Sequence, residues 1–206
     1  MARSARYKVK FRRRREGKTD YRKRLALLKS GKIRMVVRKS NKFITVQFIR
    51  SKLEGDEVLA YAYSKELEKL GWLFSCKSIP AAYLTGYMAA IRAMNAGIHE
   101  AILDIGRYPS TRGSRLYAAL KGALDAGLSI PHSEEILPEN ERIEGRHIAE
   151  WASTLKEENE ELYRKIFSGY LKRKIDPEDI PNVFKSVLEK IKSGVEEPEA
   201  KEEGWV

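Results

Sequence analysis

The hydrophobic period of this 206-residue chain changes near residue 79, and that change limits the folds open to it. Upstream, Ile33-Arg34-Met35-Val36-Val37-Arg38 and Phe43-Ile44-Thr45-Val46-Gln47-Phe48-Ile49 are dense in β-branched and aromatic residues, which predicts two strands. Lys39-Ser40-Asn41-Lys42 between them supplies a turn in which Asn41 tolerates a left-handed backbone. A third strand is expected near Val58 to Tyr63, after Glu54-Gly55-Asp56, and short connections make the trio an antiparallel meander. Downstream, Ile79-Pro80 opens a helix in which Leu84, Tyr87, Met88, Ile91 and Met94 recur at helical spacing until Gly97. Ala101-Ile102-Leu103-Asp104-Ile105 is almost continuously apolar, which suits a central strand. Leu116, Leu120, Ala123 and Leu124 then line a second helix ending at Gly127. The expected class is α/β: a mixed sheet, made of an antiparallel meander plus one central strand, with helices packed on it.

Charge is divided along the chain as sharply as period. Residues 1–52 hold 20 of the 40 Lys and Arg but only Glu16 and Asp20 as acids, so the segment is formally +18. The remainder sets 20 basic against 27 acidic residues, −7, and the two parts give the net +11. A folded core does not need such segregation. A polyanionic partner rewards it, because each cation placed on a phosphate releases a condensed counterion. Arg3, Arg6, Lys8, Lys10, Arg12, Arg13, Arg14, Arg15, Lys18, Arg22 and Arg24 are the expected phosphate clamps.

Residues 1–24 read as a basic arm, with Val9 and Phe11 too few to build a core, so it is expected to order only on a partner. Its end can turn helical from Asp20, a capping residue, to Leu28, with Tyr21, Arg24, Leu25 and Leu28 on one face. Tyr7, Phe11 and Tyr21 lie among the cations, where aromatic rings can stack on unpaired bases. Tyr21 equally suits packing the helix on the core.

Two further groups would give rigid contacts. Arg38, Lys39, Ser40, Asn41 and Lys42 cluster at the hairpin turn, where a short support can fix orientation on a folded RNA. The loop from Gly106 to Arg115 leaves a strand and enters a helix; Arg107, Thr111, Arg112, Gly113, Ser114 and Arg115 combine charge with amides that can meet an anion. It lacks the Gly-Lys-Ser/Thr ending of a Walker loop, and an ordinary turn capped by Ser114 explains it as well.

Residues 25–140 form the expected core domain and 141–194 a helical extension. Within 128–145, Pro131 and Pro138 suggest a loop. Ile148, Trp151, Ala152 and Leu155 suit one helix, and Leu162, Ile166, Tyr170 and Phe167 another. Val183, Phe184, Val187, Leu188 and Ile191 suit a last one, with Trp151, Leu162 and Phe184 as core. Lys172-Arg173-Lys174 offers a second cationic contact with RNA, and residues 195–206 are an acidic tail.

Other function classes find little support. Cys76 alone excludes an internal disulfide and reads as a half-buried structural thiol. The basic N-terminus is followed by no apolar signal segment, and no run spans a membrane, so a cytoplasmic site is expected, with no cofactor and no small-molecule substrate. His99, His132 and His147 show no ligand spacing. The enzymatic alternative is a metal-dependent nuclease in which Asp104 joins Asp56 or Glu57 around two ions.

The run from Ser114-Arg115-Leu116-Tyr117-Ala118-Ala119-Leu120-Lys121-Gly122-Ala123-Leu124 through Ile130-Pro131-His132-Ser133 resembles the hallmark of the large-subunit ribosomal proteins that bind 5S rRNA, family L-eighteen, with L-five as eukaryotic counterpart. Arg38-x-Ser40-Asn41-Lys42-x-Ile44-x-Val46-Gln47 resembles that family's hairpin. Tyr7-x-Val9-x-Phe11 through Arg12–Arg15 to Gly17-Lys18-Thr19-Asp20-Tyr21 is similar to its archaeal and eukaryotic branch, as is Gly145-Arg146-His147-Ile148-Ala149-Glu150-Trp151. The resemblance implies a ribonuclease-H-like translational-machinery topology with a basic N-terminal arm and helical C-terminal extension, and no catalysis. It also implies binding to 5S rRNA, contacts to 23S rRNA, and a place in the central protuberance beside neighbouring large-subunit proteins, including the other 5S-binding one.

Overall fold

A computed structural model describes residues 6–194; Arg3 and the acidic tail 195–206 lie outside the described residues. β1 (Arg34–Lys39), β2 (Ile44–Ser51) and β3 (Asp56–Tyr63) form the expected antiparallel meander, and β4 (Ile102–Asp104) runs parallel to β1 in the order β3-β2-β1-β4. The apolar run around β4 therefore closes one end of this order and is not central. Apolarity reports that a strand's faces are covered, and it says nothing about its edges. Beyond β4, among the described residues, only a stub of chain pairs: the Ala101 amide donates to Ser129 O at 3.1 Å and the Ser129 amide to His99 O at 3.0 Å.

The β1–β2 turn closes without a left-handed Asn41, since Lys174 is the only non-glycine with positive φ among the described residues. Ser40 closes it instead: its amide donates to Phe43 O at 2.8 Å, and its Oγ accepts from the Phe43 amide at 2.9 Å.

Strand alternation sends Met35, Val37, Ile44, Val46, Phe48, Ala60 and Ala62 to one side, where all are buried in the main core. Burial of side chains such as Phe48 and Ile44 stabilises by about 1.5–3 kcal/mol each. Covering that side are α3 (Ile79–Asn95) and α4 (Arg115–Asp125). Ser78 caps α3, with Pro80 in its first turn. The two helices touch backbone to backbone. A Cβ added at Gly86 would lie 2.0 Å from Ala119 O, and one at Gly122 would lie 2.2 Å from Tyr83 O.

Five helices follow: α5 (Asn140–Glu144), α6 (Arg146–Glu158), α7 (Glu160–Ile166), α8 (Ser168–Leu171) and α9 (Ile180–Lys192). The stretch expected to be a loop thus contains α5 and a 3-10 turn at Glu134–Ile136. Phe184, Val187 and Ile191 of α9 join the main core, while Ala152, Leu155, Tyr163 and Phe167 make a satellite cluster. Trp151 and Leu162, expected inside, are 48% and 39% exposed. The helix breaks between α7 and α8 at Phe167; Phe167 is inside as expected, joined by Tyr163, while Ile166 like Leu162 is exposed, at 43%.

Candidate nucleic-acid interface

The described part of the basic segment contains two helices, α1 (Arg12–Arg15) and α2 (Tyr21–Leu28), where only helical tendency after Asp20 was expected. Local partners relieve the arginine run. Arg13 Nε donates to Thr19 Oγ1 at 2.8 Å, and Glu16 pairs with Lys18 at 2.9 Å and with Arg12 at 3.8 Å. Asp20 caps α2 by accepting from the Arg22 and Lys23 amides, and these bonds, that of Lys23 foremost, hold its carboxyl below the ordinary value. The half-buried face of α2 is Tyr21, Arg24, Leu27 and Leu28, with Leu25 turned out at 56% exposure. Phe11 packs on Tyr21 with ring centroids 5.3 Å apart, so Tyr21 is engaged within the segment. Arg6, Tyr7, Lys8, Lys10, Arg14, Arg15 and Arg22 are exposed.

On the sheet side away from α3 and α4, β1 carries Arg34 and Arg38, and β4 carries Asp104. Arg34, 2% exposed, donates from Nη1 to Asp104 Oδ2 and from Nη2 to Asp56 Oδ2, each at 2.9 Å. Arg24 of α2 donates to both oxygens of Asp56, at 2.9 and 2.8 Å. Arg38 donates to Asp104 Oδ1 at 3.0 Å and to its carbonyl at 2.7 Å. The Gly106 amide adds a bond to Asp104 Oδ1 at 2.8 Å, and Ser51 Oγ donates to Asp56 Oδ1 at 2.9 Å. Burial alone would push the Asp104 carboxyl up. Arg38, the Gly106 amide and Arg34 outweigh it and hold the group below its ordinary value. Asp56 is likewise lowered, with burial opposed by Arg24, Ser51 and Arg34.

Around this floor lies a cleft of about 760 Å³, walled by Arg13, Lys18, Lys23 and Arg24 of the basic segment and by Arg38, Ile105 and Gly106 of the core. The hairpin base is tied to the loop after β4: Tyr108 donates to Lys39 O at 2.6 Å, and Lys39 Nζ lies 5.0 Å from the Tyr108 ring centroid. Lys42, Asn41 and Ser40 project exposed beyond it. Arg107 reaches back to the basic segment, within 3.0 Å of where a Cβ on Gly17 would stand.

The loop's second half turns elsewhere. Arg112 Nε donates to Glu135 O at 2.8 Å, the Gly113 amide to Ile136 O at 3.0 Å, and Arg115 to Lys77 O at 3.2 Å. Ser114 sits at the cap position of α4 without a side-chain cap bond, its Oγ buried. Thr111 is exposed. The Gly113 and Ser114 amides, just before the helix start expected to meet an anion, are engaged within the protein.

Of the carboxylates expected of a nuclease, Asp104 and Asp56 face guanidinium groups, and Glu57 pairs with Lys52 at 2.9 Å. A metal at Asp104 or Asp56 would have to displace Arg34, Arg38 or Arg24, and no cluster of potential ligands occurs among the described residues. Cys76 is buried, and burial, with Glu68 beside it, pushes its thiol up to about 12. No helix among the described residues is long and apolar enough to cross a membrane. Sequence reasoning missed Arg34 as the centre of the site, because its partners lie 22 and 70 residues away. It also missed Tyr61 and Tyr63, stacked at 6.5 Å on the same sheet side, with Tyr61 42% exposed. Their spacing of two along β3 was the available signal.

The sequence profile of the family described as "Ribosomal large subunit proteins 60S L5, and 50S L18" matches residues 5–99 and 93–133. Three archaeal relatives carry the description "Large ribosomal subunit protein uL18". The protein of Korarchaeum cryptofilum is 68% identical over 191 residues, covering 93% of this chain and 97% of the relative. That of Aeropyrum pernix is 54% identical over 198 residues, covering 96% and 91%. That of Methanothermobacter thermautotrophicus is 50% identical over 191 residues, covering 93% and 98%. Profile and relatives together place this chain in the family of ribosomal large-subunit proteins 60S L5 and 50S L18, in its archaeal branch.

Proposed function

We infer that this chain is a non-catalytic structural constituent of the large ribosomal subunit that binds 5S rRNA and helps attach it to 23S rRNA in the central protuberance. The observation that carries the reading is the gathering of the basic segment, the hairpin base and Arg107 on the sheet side opposite α3 and α4. Exposed Arg14, Arg15, Lys8, Lys10 and Arg22 supply phosphate contacts, and Ser40, Asn41 and Lys42 orient the RNA from a rigid turn. Arg24 and Arg38 act from beneath, holding the frame. Residues 1–24, 25–140 and 141–194 divide the labour as arm, RNA-binding core and extension. Acidic surfaces of the extension face basic neighbouring proteins, the other 5S-binding protein among them, in the cytoplasmic ribosome. The ribonuclease-H-like topology is supported by the meander, by parallel β4 and by the parallel bridge at Ser129, where a further strand would add.

The test is titration of a 5S rRNA transcript against tRNA as competitor. Preference for 5S rRNA, weakened when Lys39, Asn41 and Lys42 are replaced by Ala in a folded protein, is expected. Equal affinity for both RNAs contradicts the reading.

A further inference from the structure

The basic segment and the hairpin turn are joined by one alternating line of charge: Arg24, Asp56, Arg34, Asp104, Arg38. Each carboxylate in it holds two guanidinium groups. The middle of the line is buried, Arg34 at 2% and Asp104 at 6% exposure, so breaking it there strands an uncompensated charge. Its outer link, Arg24 to Asp56, has side chains 36% and 28% exposed and can open without such a penalty. No residue of α2 is fully buried, Tyr21, Leu27 and Leu28 being only half-buried, so the Arg24–Asp56 link adds a directional tie to the core that partial apolar packing lacks.

We propose that this chain of five residues is a positioning device that holds the basic segment and the hairpin turn in one frame before RNA arrives, with Asp56 as its releasable link. The proposal rests on the RNA-binding reading above. Two contact sets held in one frame engage a ligand in a single event, without a separate ordering cost for the second. Asp56 touches no RNA in this account and acts through Arg24. Asp56→Asn keeps the side chain's shape and its bond from Ser51 but removes the charge that Arg24 and Arg34 meet.

The experiment uses the full chain with a 5S rRNA transcript as probe. Asp56→Asn is made in the wild-type background and in one where Arg13, Arg14 and Arg15 are replaced by Gln. A loss of about tenfold in affinity is expected in the first background and less than about twofold in the second. In the free protein, trypsin cleavage between residues 12 and 24 should quicken by about tenfold on Asp56→Asn, while the core stays folded with a urea midpoint lowered only by the charge lost beside Arg34. Equal losses in both backgrounds, or unchanged cleavage, overturn the proposal. If the wild-type protein fails to bind 5S rRNA, the RNA reading fails, and the cleavage rate still decides whether Asp56 holds the segment.

Discussion

Met35 and Val37 alternate with Arg34 and Arg38 on β1, yet the two pairs answer to different forces. Met35 and Val37 enter a core where two helices meet through Gly86 and Gly122 with no room for a methyl group. Arg34 and Arg38 enter a line of ion pairs beneath the basic segment. One strand period thus serves two kinds of stability. The apolar side is sensitive to volume and nearly indifferent to pH, whereas the charged side is sensitive to ionisation.

Breaking the charged side at its centre should cost most. Arg34→Met leaves buried Asp104 with Arg38 alone and Asp56 with Arg24 alone, and a loss of about 3–5 kcal/mol is expected in urea unfolding. Adding Asp104→Leu should recover part of it, because removing both buried partners costs less than removing one. On the apolar side, Gly86→Ala drives a Cβ onto Ala119 O and should cost about 3 kcal/mol, at both neutral and acid pH.

Acid distinguishes the two sides next. Asp104 and Asp56 titrate below their ordinary value of 3.8 in the folded protein, so the folded state binds fewer protons than the unfolded one. Their contribution is complete above that value and lost as pH falls through the lower folded-state values. The urea midpoint should therefore decline below about pH 4, and Asp56→Asn should flatten the decline. A control touches neither side. Lys174 adopts φ 58° in the turn after α8, and Lys174→Gly should stabilise by about 1 kcal/mol by relieving a left-handed backbone.

Much of this was legible because it is local. The meander followed from β-branched runs, α3 from its apolar spacing and Pro80, and the Asp20 cap from its position before Tyr21. What was not legible depends on distant chain. A mid-helix glycine such as Gly86 reads as a weak point until the opposing Ala119 carbonyl is placed. Arg34 reads as an exposed strand cation until Asp104 arrives from 70 residues away. Trp151 reads as core because helical spacing gives a face and not its depth.

The basic segment is assigned to phosphate, and salt tests that assignment directly. If it neutralises about 6–10 phosphates, affinity for 5S rRNA should fall about 10³- to 10⁵-fold between about 50 and 200 mM salt, and the chain lacking residues 1–24 should show a much shallower slope. The same slope with and without those residues would contradict the account.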